Sequence, residues 1–424
     1  MTSIWLCARY HSFLLHKPLI LGFIGLTVWL ITTAIFAVDV EPALLGLFNF
    51  VPGLIVFAGF SCLFQSIRQL RQIAWLLILT TVPIVLIGMG QLFWGWAGHP
   101  KLFGIVLDLL VDRGGNPPGR MASIFQYANS LAAYLLMVFC LGLGLWFEAW
   151  DMAQAKNNPF TSLPNALRSP ALIRLSFLSL ILVGVTAAIL LTSSRNAWFL
   201  GVTSFLVFAI YRRWTWIIGA IGVGISCIGG ASFGPDPLRP WLRAWVPPFL
   251  WARLSDEMFQ NRPVPELRTT QWQFAWSMVE QRPWTGWGLR SFTPLYEAAQ
   301  NYWIGHPHNL FLMIAAESGL ISAFLLFGLV GFVTFRGILH LQFISCQQEH
   351  EDSNLTDWSQ PNLIWLAYLV AFGACTLFNV LDVTIFDVRL NLIGWSLLAA
   401  INGVLCQQEP IRSSTLKSRK AFKF

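Results

Sequence analysis

Ten apolar runs constrain what this chain can fold into. They lie near residues 18–38, 43–64, 72–94, 123–147, 172–192, 197–211, 214–233, 309–335, 362–382 and 389–406. A helix needs about 20 residues to cross the roughly 30 Å of a bilayer core, and the run at 197–211 is the shortest. Charged residues make up 11% of the chain, against about 25% in soluble domains. The sequence therefore predicts an all-α, polytopic integral membrane protein with about ten transmembrane helices.

The basic residues near these runs predict the orientation of the chain. If ten spans alternate, they all fall on one side: Arg9, Lys17, Arg68, Arg71, Lys156, Arg168, Arg174, Arg212, Arg213, Arg336 and the basic tail. Such residues favour the cytoplasmic face, so both termini are expected there, with the first run kept as an uncleaved span. We expect a multi-pass protein of the cytoplasmic (inner) membrane. The net charge of +7 then reflects topology rather than binding of nucleic acid.

The order of spans and loops divides the chain into four parts. Residues 1–233 hold the first seven membrane helices, and residues 234–307 form a large extracytoplasmic loop. Residues 308–408 hold the last three membrane helices, and residues 409–424 form a basic cytoplasmic tail. The seven cysteines lack metal-ligand spacing, which predicts neither a zinc site nor a disulfide framework. The sequence also lacks a Gly-rich phosphate loop, so a nucleotide-driven pump is not expected.

The large loop at 234–307 carries seven arginines, eight tryptophans and no lysine. A guanidinium group offers a rigid fork of donors that matches phosphate oxygens, whereas an ammonium group is a point charge. Tryptophan adds flat faces for sugars or for the headgroup region. The alternative is an interfacial loop whose arginines contact lipid headgroups and its own six carboxylates.

One segment of this loop has helical spacing and then a turn. Arg268, Trp272 and Trp276 recur at i, i+4 and i+8, so they share a helix face. Pro283, Gly286 and Gly288 then break the helix. A guanidinium group beside two indole rings suits the binding of a phosphorylated sugar lipid, so both tryptophans are possible substrate contacts. The same stripe equally suits packing onto the membrane domain.

Ionisable residues at the outer ends of spans are the second functional signal. Arg195 lies in the short turn "LLTSSRNAW", where it is expected to face a cavity or a partner, or else to snorkel to lipid phosphates. His306 and His308 begin the run "HPHNLFLMIAAESGL". An imidazole suits base chemistry at neutral pH, although a lone histidine is often only a structural hydrogen-bonding group. Glu317 is expected to pair with a buried donor on a neighbouring span.

Four stretches, taken together, resemble the O-antigen ligase and polymerase family of membrane glycosyltransferases. They are "GRMASIFQYANSLAAYLL", "LLTSSRNAWFLG", "RTTQWQFAWSMVEQRPWTGWGLRSF" and "HPHNLFLMIAAESGLISAFL". The second matches a Thr-x-Ser-Arg turn of the family, and the third matches an Arg helix followed by Pro-x-x-Gly-x-Gly. The fourth matches a His-x10-Gly element with His308 and Gly319. The matches span about residues 119–325, and the resemblance implies a fold similar to the GT-C glycosyltransferases.

The resemblance also implies a reaction. A glycan moves from a polyprenyl diphosphate carrier, such as undecaprenyl diphosphate, to a hydroxyl of an acceptor lipid or growing polysaccharide. The transfer takes place outside the cytoplasmic membrane without a metal or other cofactor, as in lipopolysaccharide assembly. By resemblance, His308 would be the general base, Arg195 and Arg268 would bind the diphosphate, and Arg120 and His306 would be possible substrate contacts.

Two other functions are open from the sequence. Some relatives of this family carry an inorganic-carbon (bicarbonate) transporter label, and Asp382 and Asp387 at the outer end of span nine favour transport unless they pair with Arg389. A transporter is expected to have broken helices or charges near the middle of several spans, whereas polar residues here gather at the outer rim. A non-catalytic scaffold for polysaccharide export is the third possibility, and it would make His308 dispensable.

Overall fold

The computed structural model describes residues 18–99, 101–102, 105–106, 110–156, 170–257, 263–350 and 361–421. Arg9, Lys17 and Arg168, named above, lie outside these ranges, as does Arg262, one of the seven arginines of the large loop. Within these ranges the chain is mostly helical. The strands in this part are β1 (Lys101–Leu102) and β2 (Ile105–Val106), which pair in an antiparallel hairpin.

Fifteen α-helices make up the described part of the chain. They are α1 (Pro18–Ile35), α2 (Val40–Gly46), α3 (Val51–Leu63), α4 (Ile67–Phe93), α5 (Ala128–Lys156), α6 (Pro170–Leu191), α7 (Arg195–Tyr211), α8 (Thr215–Phe233), α9 (Leu238–Trp245), α10 (Pro248–Leu254), α11 (Arg268–Gln281), α12 (Phe292–Gln300), α13 (Leu310–His350), α14 (Pro361–Leu381) and α15 (Val388–Ala421).

The helices confirm the predicted all-α, polytopic membrane fold. Eight helical segments are long and apolar enough to cross a membrane, and α1 and α7 are shorter apolar helices. Together they coincide with the ten apolar runs. The second run has a finer structure than the hydropathy pattern predicts, because a short 3-10 turn at Leu47–Asn49 separates α2 from α3.

Two groups of helices form the membrane domain. In the first, α5 is the most buried span and packs against α4, α6, α7 and α14. The second group contains α1, α3, α13 and α15, joined by Phe23, Phe57 and Trp395, whose rings lie 4.7–6.1 Å apart. Helix α14 contacts α5 in the first group and α13 and α15 in the second, so it lies where the groups meet.

Helices α8, α9 and α10 form a small unit at the edge of the first group. Their shared core consists of Ala231, Leu242 and Val246. The guanidinium of Arg243 lies 3.9 Å from the Trp251 ring centroid and 2.5 Å from the carboxylate of Glu257. Part of the loop arginine content therefore serves the loop itself, through cation–π contact and carboxylate pairing.

The Pro-x-x-Gly-x-Gly segment after α11 fills a break in α13. Gly319 has φ +84° and interrupts the helix. Around this break the loop supplies the missing hydrogen bonds: the Trp287 N–H donates to the Ala316 carbonyl at 3.1 Å, the Gly288 N–H to the Glu317 carbonyl at 2.8 Å, and the Leu320 N–H to the Pro283 carbonyl at 2.8 Å. Backbone groups exposed by a break need such partners inside a membrane protein. The two motifs are therefore one structural unit.

The side chain of Glu317 belongs to the same unit. Its Oε1 accepts a hydrogen bond from the backbone N–H of Phe292 at 3.2 Å, and the side chain is buried. The predicted donor on a neighbouring span was wrong, because the donor is the first residue of α12 in the large loop. The carboxylate therefore anchors the loop to the membrane domain.

Replacing Gly319 with alanine is expected to destabilise the fold by about 3 kcal/mol or more, because backbone strain and a steric clash add together. A Cβ at this position would lie 1.9 Å from the Trp284 carbonyl oxygen, on a backbone with positive φ. Gly328→Ala in the same helix is the matched control, since a Cβ there meets nothing within 4 Å. Thermal unfolding in detergent measures both variants, and equal midpoints would contradict the close packing at Gly319.

Candidate active site

A cavity of about 1540 Å³ opens beneath the large loop, at one end of the first helix group. Its walls come from the segment before α5, the turn before α7, helix α10, the start of α11, the loop before α13 and the end of α14. Five of the seven predicted site residues line it: Arg120, Arg195, Arg268, His306 and His308. Four separate parts of the chain therefore place their ionisable side chains around one space.

The two predicted tryptophans do not line this cavity. Trp272 is half-buried, and its indole N–H donates to the Pro307 carbonyl at 2.9 Å, so it holds the loop that carries both histidines. Trp276 is 48% exposed. The buried face of α11 carries Gln271, Ala275, Met278 and Val279, which explains why the Arg-Trp stripe does not form the cavity wall as a unit.

The two histidines contact each other at the rim of the membrane domain. Their ring centroids are 4.5 Å apart, and Nδ1 of His306 accepts a hydrogen bond from the backbone N–H of His308 at 3.1 Å. His308 has φ +52°. Its Nδ1 lies 2.9 Å from Oε1 of Gln271. The loop between α12 and α13 is thus held by hydrogen bonds on both imidazoles.

Burial keeps both imidazoles neutral at pH 7. It lowers the pKa of His306 to about 4, against the opposing effect of Asp382. Burial also lowers the pKa of His308; Asp382 opposes this, and the positive charge of Arg268 adds to it. A neutral imidazole carries a lone pair, so His308 has the protonation state that a general base needs.

A chain of polar contacts links His306 to Arg120. Nη2 of Arg120 donates to Oδ1 of Asn129 at 2.6 Å, and Nδ2 of Asn129 donates to Oδ2 of Asp382 at 2.6 Å. Oδ1 of Asp382 lies 3.7 Å from Nε2 of His306. Arg120 also donates from Nε to the Thr192 carbonyl at 2.8 Å. Arg120 therefore ties the turn before α7 to the start of α5, and it also lines the cavity.

The possible pairing of Asp382 and Asp387 with Arg389 holds for one of the two carboxylates. Asp387 forms an ion pair with Arg389 at 2.6 Å, as expected. Asp382 instead belongs to the chain between Asn129 and His306, because it lies at the end of α14, where the two helix groups meet. This carboxylate is 3% exposed, and it contributes the negative charge nearest to the histidines among the described residues.

Arg195 begins α7 and points its guanidinium across the cavity. Its Nη1 donates to Oδ1 of Asp256 at 2.9 Å and to the Arg253 carbonyl at 3.1 Å. Its side chain is 35% exposed. Both bonds come from one nitrogen, so within the described part of the chain Nε and Nη2 keep donors for an anion. The geometry matches the expected cavity-facing position rather than snorkelling to lipid.

His306, His308 and Asp382 place possible metal-ligand atoms within 4.8 Å of one another. His306 already uses its Nδ1 lone pair as an acceptor, so a neutral ring carries its proton on Nε2, the nitrogen that faces Asp382. A metal ion on Nε2 would move that proton to Nδ1, where it would meet the His308 N–H. This arrangement suits a hydrogen-bonded pair better than a metal centre.

Sequence reasoning missed three polar residues of this site. Asn129 and Gln271 lie inside the quoted stretches, yet neither is a residue type that marks chemistry by itself. Glu266 lines the cavity and accepts a hydrogen bond from the Tyr302 hydroxyl. The spacing Arg268-x-x-Gln271 places the amide one helical turn after the arginine, and this was the one available signal.

Comparison with known proteins gives one family match. The family model described as O-antigen ligase matches residues 178–327. The matched region contains Arg195, Arg268, Trp272, Trp276, His306 and His308, whereas Arg120, Asn129 and Asp382 lie outside it. Three of the four stretches that resemble the family fall within it. No curated protein matches the chain. The described helices are those of a multi-pass membrane protein, and its residues 178–327 are similar to the O-antigen ligase family.

Proposed function

We propose that the chain transfers a glycan from a polyprenyl diphosphate to an acceptor hydroxyl on the outer side of the cytoplasmic membrane. The observation that carries this proposal is the cavity itself, where a neutral imidazole and several guanidinium groups lie together within an O-antigen ligase domain. These groups suit the deprotonation of an alcohol and the binding of a diphosphate. The acceptor is a lipid or a growing polysaccharide.

In the proposed reaction His308 accepts the proton of the acceptor hydroxyl. The oxygen attacks the anomeric carbon of the glycan, and the bond from that carbon to the phosphate oxygen breaks. The electron pair of this bond leaves with the polyprenyl diphosphate. Arg195 and Arg268 stabilise the negative charge that develops there, since guanidinium groups form paired hydrogen bonds with phosphate oxygens. The chemistry that we propose uses side chains of this chain alone.

The proposed orientation has the cavity outside and both termini in the cytoplasm. Arg71 pairs with Glu148 at 2.8 Å, and Arg212 pairs with Asp151 at 2.5 Å. Glu148 lies 19 residues along α5 from Asn129, which is about 29 Å at 1.5 Å per residue. These basic residues therefore gather at the end of the bundle opposite the cavity, as the positive-inside rule requires for a cytoplasmic face.

Transport of a small anion is less well supported. Helix α13 is broken at Gly319, and a broken helix is a feature of many transporters. Here, however, the loop that follows α11 occupies the break and satisfies its backbone groups. In transporters such a break exposes backbone groups to the substrate. This break therefore anchors the loop that covers the cavity.

Purified protein in liposomes gives a direct test of the proposed transfer. The liposomes contain a polyprenyl diphosphate-linked glycan prepared from the host membrane and host acceptor lipid or polysaccharide. We expect free polyprenyl diphosphate and glycosylated acceptor to form in equal amounts. Liposomes without protein are the control. Release of polyprenyl diphosphate without any glycosylated acceptor would contradict transfer and indicate hydrolysis.

The rate of transfer is expected to depend on the protonation of His308. Burial and Arg268 lower the pKa of this imidazole, so its base form persists at pH values below the usual midpoint of about 6.5. The acid limb of the profile of kcat/KM against pH should therefore have a midpoint below 6.5. Arg268→Gln should move the midpoint upward, because it removes a positive charge that opposes protonation. A wild-type midpoint above 6.5 would argue against His308 as the titrating base.

A further inference from the structure

We propose that Gln271 is a positioning residue that fixes the tautomer of His308, so that Nε2 of this imidazole is the nitrogen that accepts the proton. This inference rests on the proposed function, in which His308 is the general base. It concerns a residue on the helix that begins with Arg268. Neither the family resemblance nor the residue type assigns a role to it.

Gln271 lies near the start of α11, and its side-chain amide has hydrogen-bond partners at both its oxygen and its nitrogen. It is 1% exposed, and its Oε1 lies 2.9 Å from Nδ1 of His308. Its Nε2 donates to the carbonyl oxygens of Pro265 and Glu266, at 3.3 Å each. The hydroxyl of Tyr296 also donates to the Pro265 carbonyl, at 2.7 Å, which fixes the position of this acceptor.

These contacts determine which way the amide of Gln271 points. The two backbone carbonyl oxygens can only accept hydrogen bonds, so the NH₂ group of the amide must face them. The amide oxygen must then face His308, and this oxygen can only accept. Nδ1 of His308 is therefore the donor of the bond between them. A reversed amide would place its oxygen against two carbonyl oxygens and its NH₂ group against the imidazole.

The direction of this bond determines the chemistry of His308. In a neutral imidazole only one nitrogen carries a proton, and the other carries the lone pair. With the proton on Nδ1, the lone pair lies on Nε2. In the other tautomer, the lone pair of Nδ1 would face a lone pair of the amide oxygen in a buried site. The hydrogen bond between His308 and Gln271 would then be lost. Gln271 thus performs the orienting task that a carboxylate performs in a Ser-His-Asp triad, without adding negative charge.

The position of Gln271 also links the proposed diphosphate-binding residue Arg268 to the proposed base His308. Arg268 and Gln271 lie one turn apart on α11, so one rigid helix positions both a proposed diphosphate ligand and the partner of the base. Trp272, the next residue, holds the histidine loop through the Pro307 carbonyl. A shift of α11 would therefore move the cation and release the imidazole together.

The ring tautomer of His308 is the first test, because it requires no activity. Protein with ¹⁵N-labelled histidine rings is placed in liposomes at pH 8, and solid-state ¹⁵N spectra are recorded. The His308 signals are assigned by their loss in His308→Asn. We expect wild-type His308 to carry its proton on Nδ1. A proton on Nε2 would overturn the inference, whatever the activity of the protein.

Gln271→Met is the matching variant, because methionine has a similar length and no strong acceptor. We expect the ring signals to show a mixture of tautomers, and kcat to fall about 10- to 100-fold, as on loss of the partner that orients a metal-ligating histidine. Gln273→Met, at an exposed position of the same helix, is the control. Wild-type tautomer and rate in Gln271→Met would contradict the inference.

The pH profile separates this role from a loss of packing. The charged and titratable groups around His308 are Asp382 on α14, Arg268 on α11 and His306 on its own loop, and Gln271→Met keeps all three. Loss of an acceptor for Nδ1–H favours the neutral ring, so the acid limb should move to lower pH. An unchanged midpoint with a lower rate would indicate packing alone and overturn the inference. A correct tautomer in a protein without transferase activity would refute only the proposed function.

Discussion

Replacing His308 with alanine is expected to slow glycan transfer by about 10²–10⁴-fold, the usual contribution of a general base. The imidazole is neutral in its buried site because burial and Arg268 lower its pKa, and alanine offers no group that accepts the proton. The main effect should be on kcat, since the diphosphate contacts of Arg195 and Arg268 remain. Transfer in liposomes under saturating donor measures it.

His99→Ala is the matched control for this prediction. His99 is exposed on the segment between α4 and α5, and it does not line the cavity. Its loss should leave the rate of transfer unchanged. If His308→Ala folds normally and retains more than about a tenth of the wild-type rate, general-base catalysis by this residue is refuted. The scaffold interpretation, in which the imidazole is dispensable, would then gain support.

Replacing Arg195 with alanine is expected to lower kcat by about 10²–10³-fold, as the loss of one charge-stabilising donor does elsewhere. Arg195 is the first residue of α7 and lines the cavity, and its hydrogen bonds to Asp256 and to the Arg253 carbonyl both use Nη1. The other nitrogens of the fork are thus placed for the leaving diphosphate. Arg195→Lys should recover only part of the rate, because an ammonium group cannot form the paired hydrogen bonds.

Arg239→Ala is the matched control for Arg195. Arg239 also pairs with a carboxylate of the large loop, Asp236, at 3.4 Å, but it does not line the cavity. Its replacement should leave transfer intact. Equal losses from Arg195→Ala and Arg239→Ala would mean that loop electrostatics in general, rather than a specific phosphate contact, support the reaction.

The membrane helices were predictable because their signal is local. Each apolar run is about as long as a bilayer core is thick, and each coincides with a helix of the described chain. The break at Gly319 was not predictable in this way. The apolar pattern continues across it, and the cause is a loop some 30 residues earlier whose N–H groups replace the helical hydrogen bonds. The His-x10-Gly pattern marks Gly319 as a motif residue, but only a three-dimensional contact shows that the helix breaks there and not at Gly328.

The site was predictable where a residue type carries its own chemistry. Arginines on the predicted extracytoplasmic face and histidines at the end of a span are unusual enough to mark a site. Arg120, Arg195, Arg268 and His308 all line one cavity. The two tryptophans were wrongly predicted as cavity residues, because i, i+4 spacing shows that residues share a helix face but not which part of the protein that face contacts. Asn129 and Gln271 carry no such mark, since an amide gains a role only from partners that are distant in the sequence.

The most direct test of the central claim is the amount of polyprenyl diphosphate-linked glycan in cells that lack this protein. We expect the lipid-linked glycan to accumulate, and the wild-type protein to restore it to its normal level. His308→Ala, expressed to the same level, should leave it accumulated. Normal amounts of lipid-linked glycan in the deficient cells, together with reduced uptake of inorganic carbon, would contradict the transferase and support a transporter.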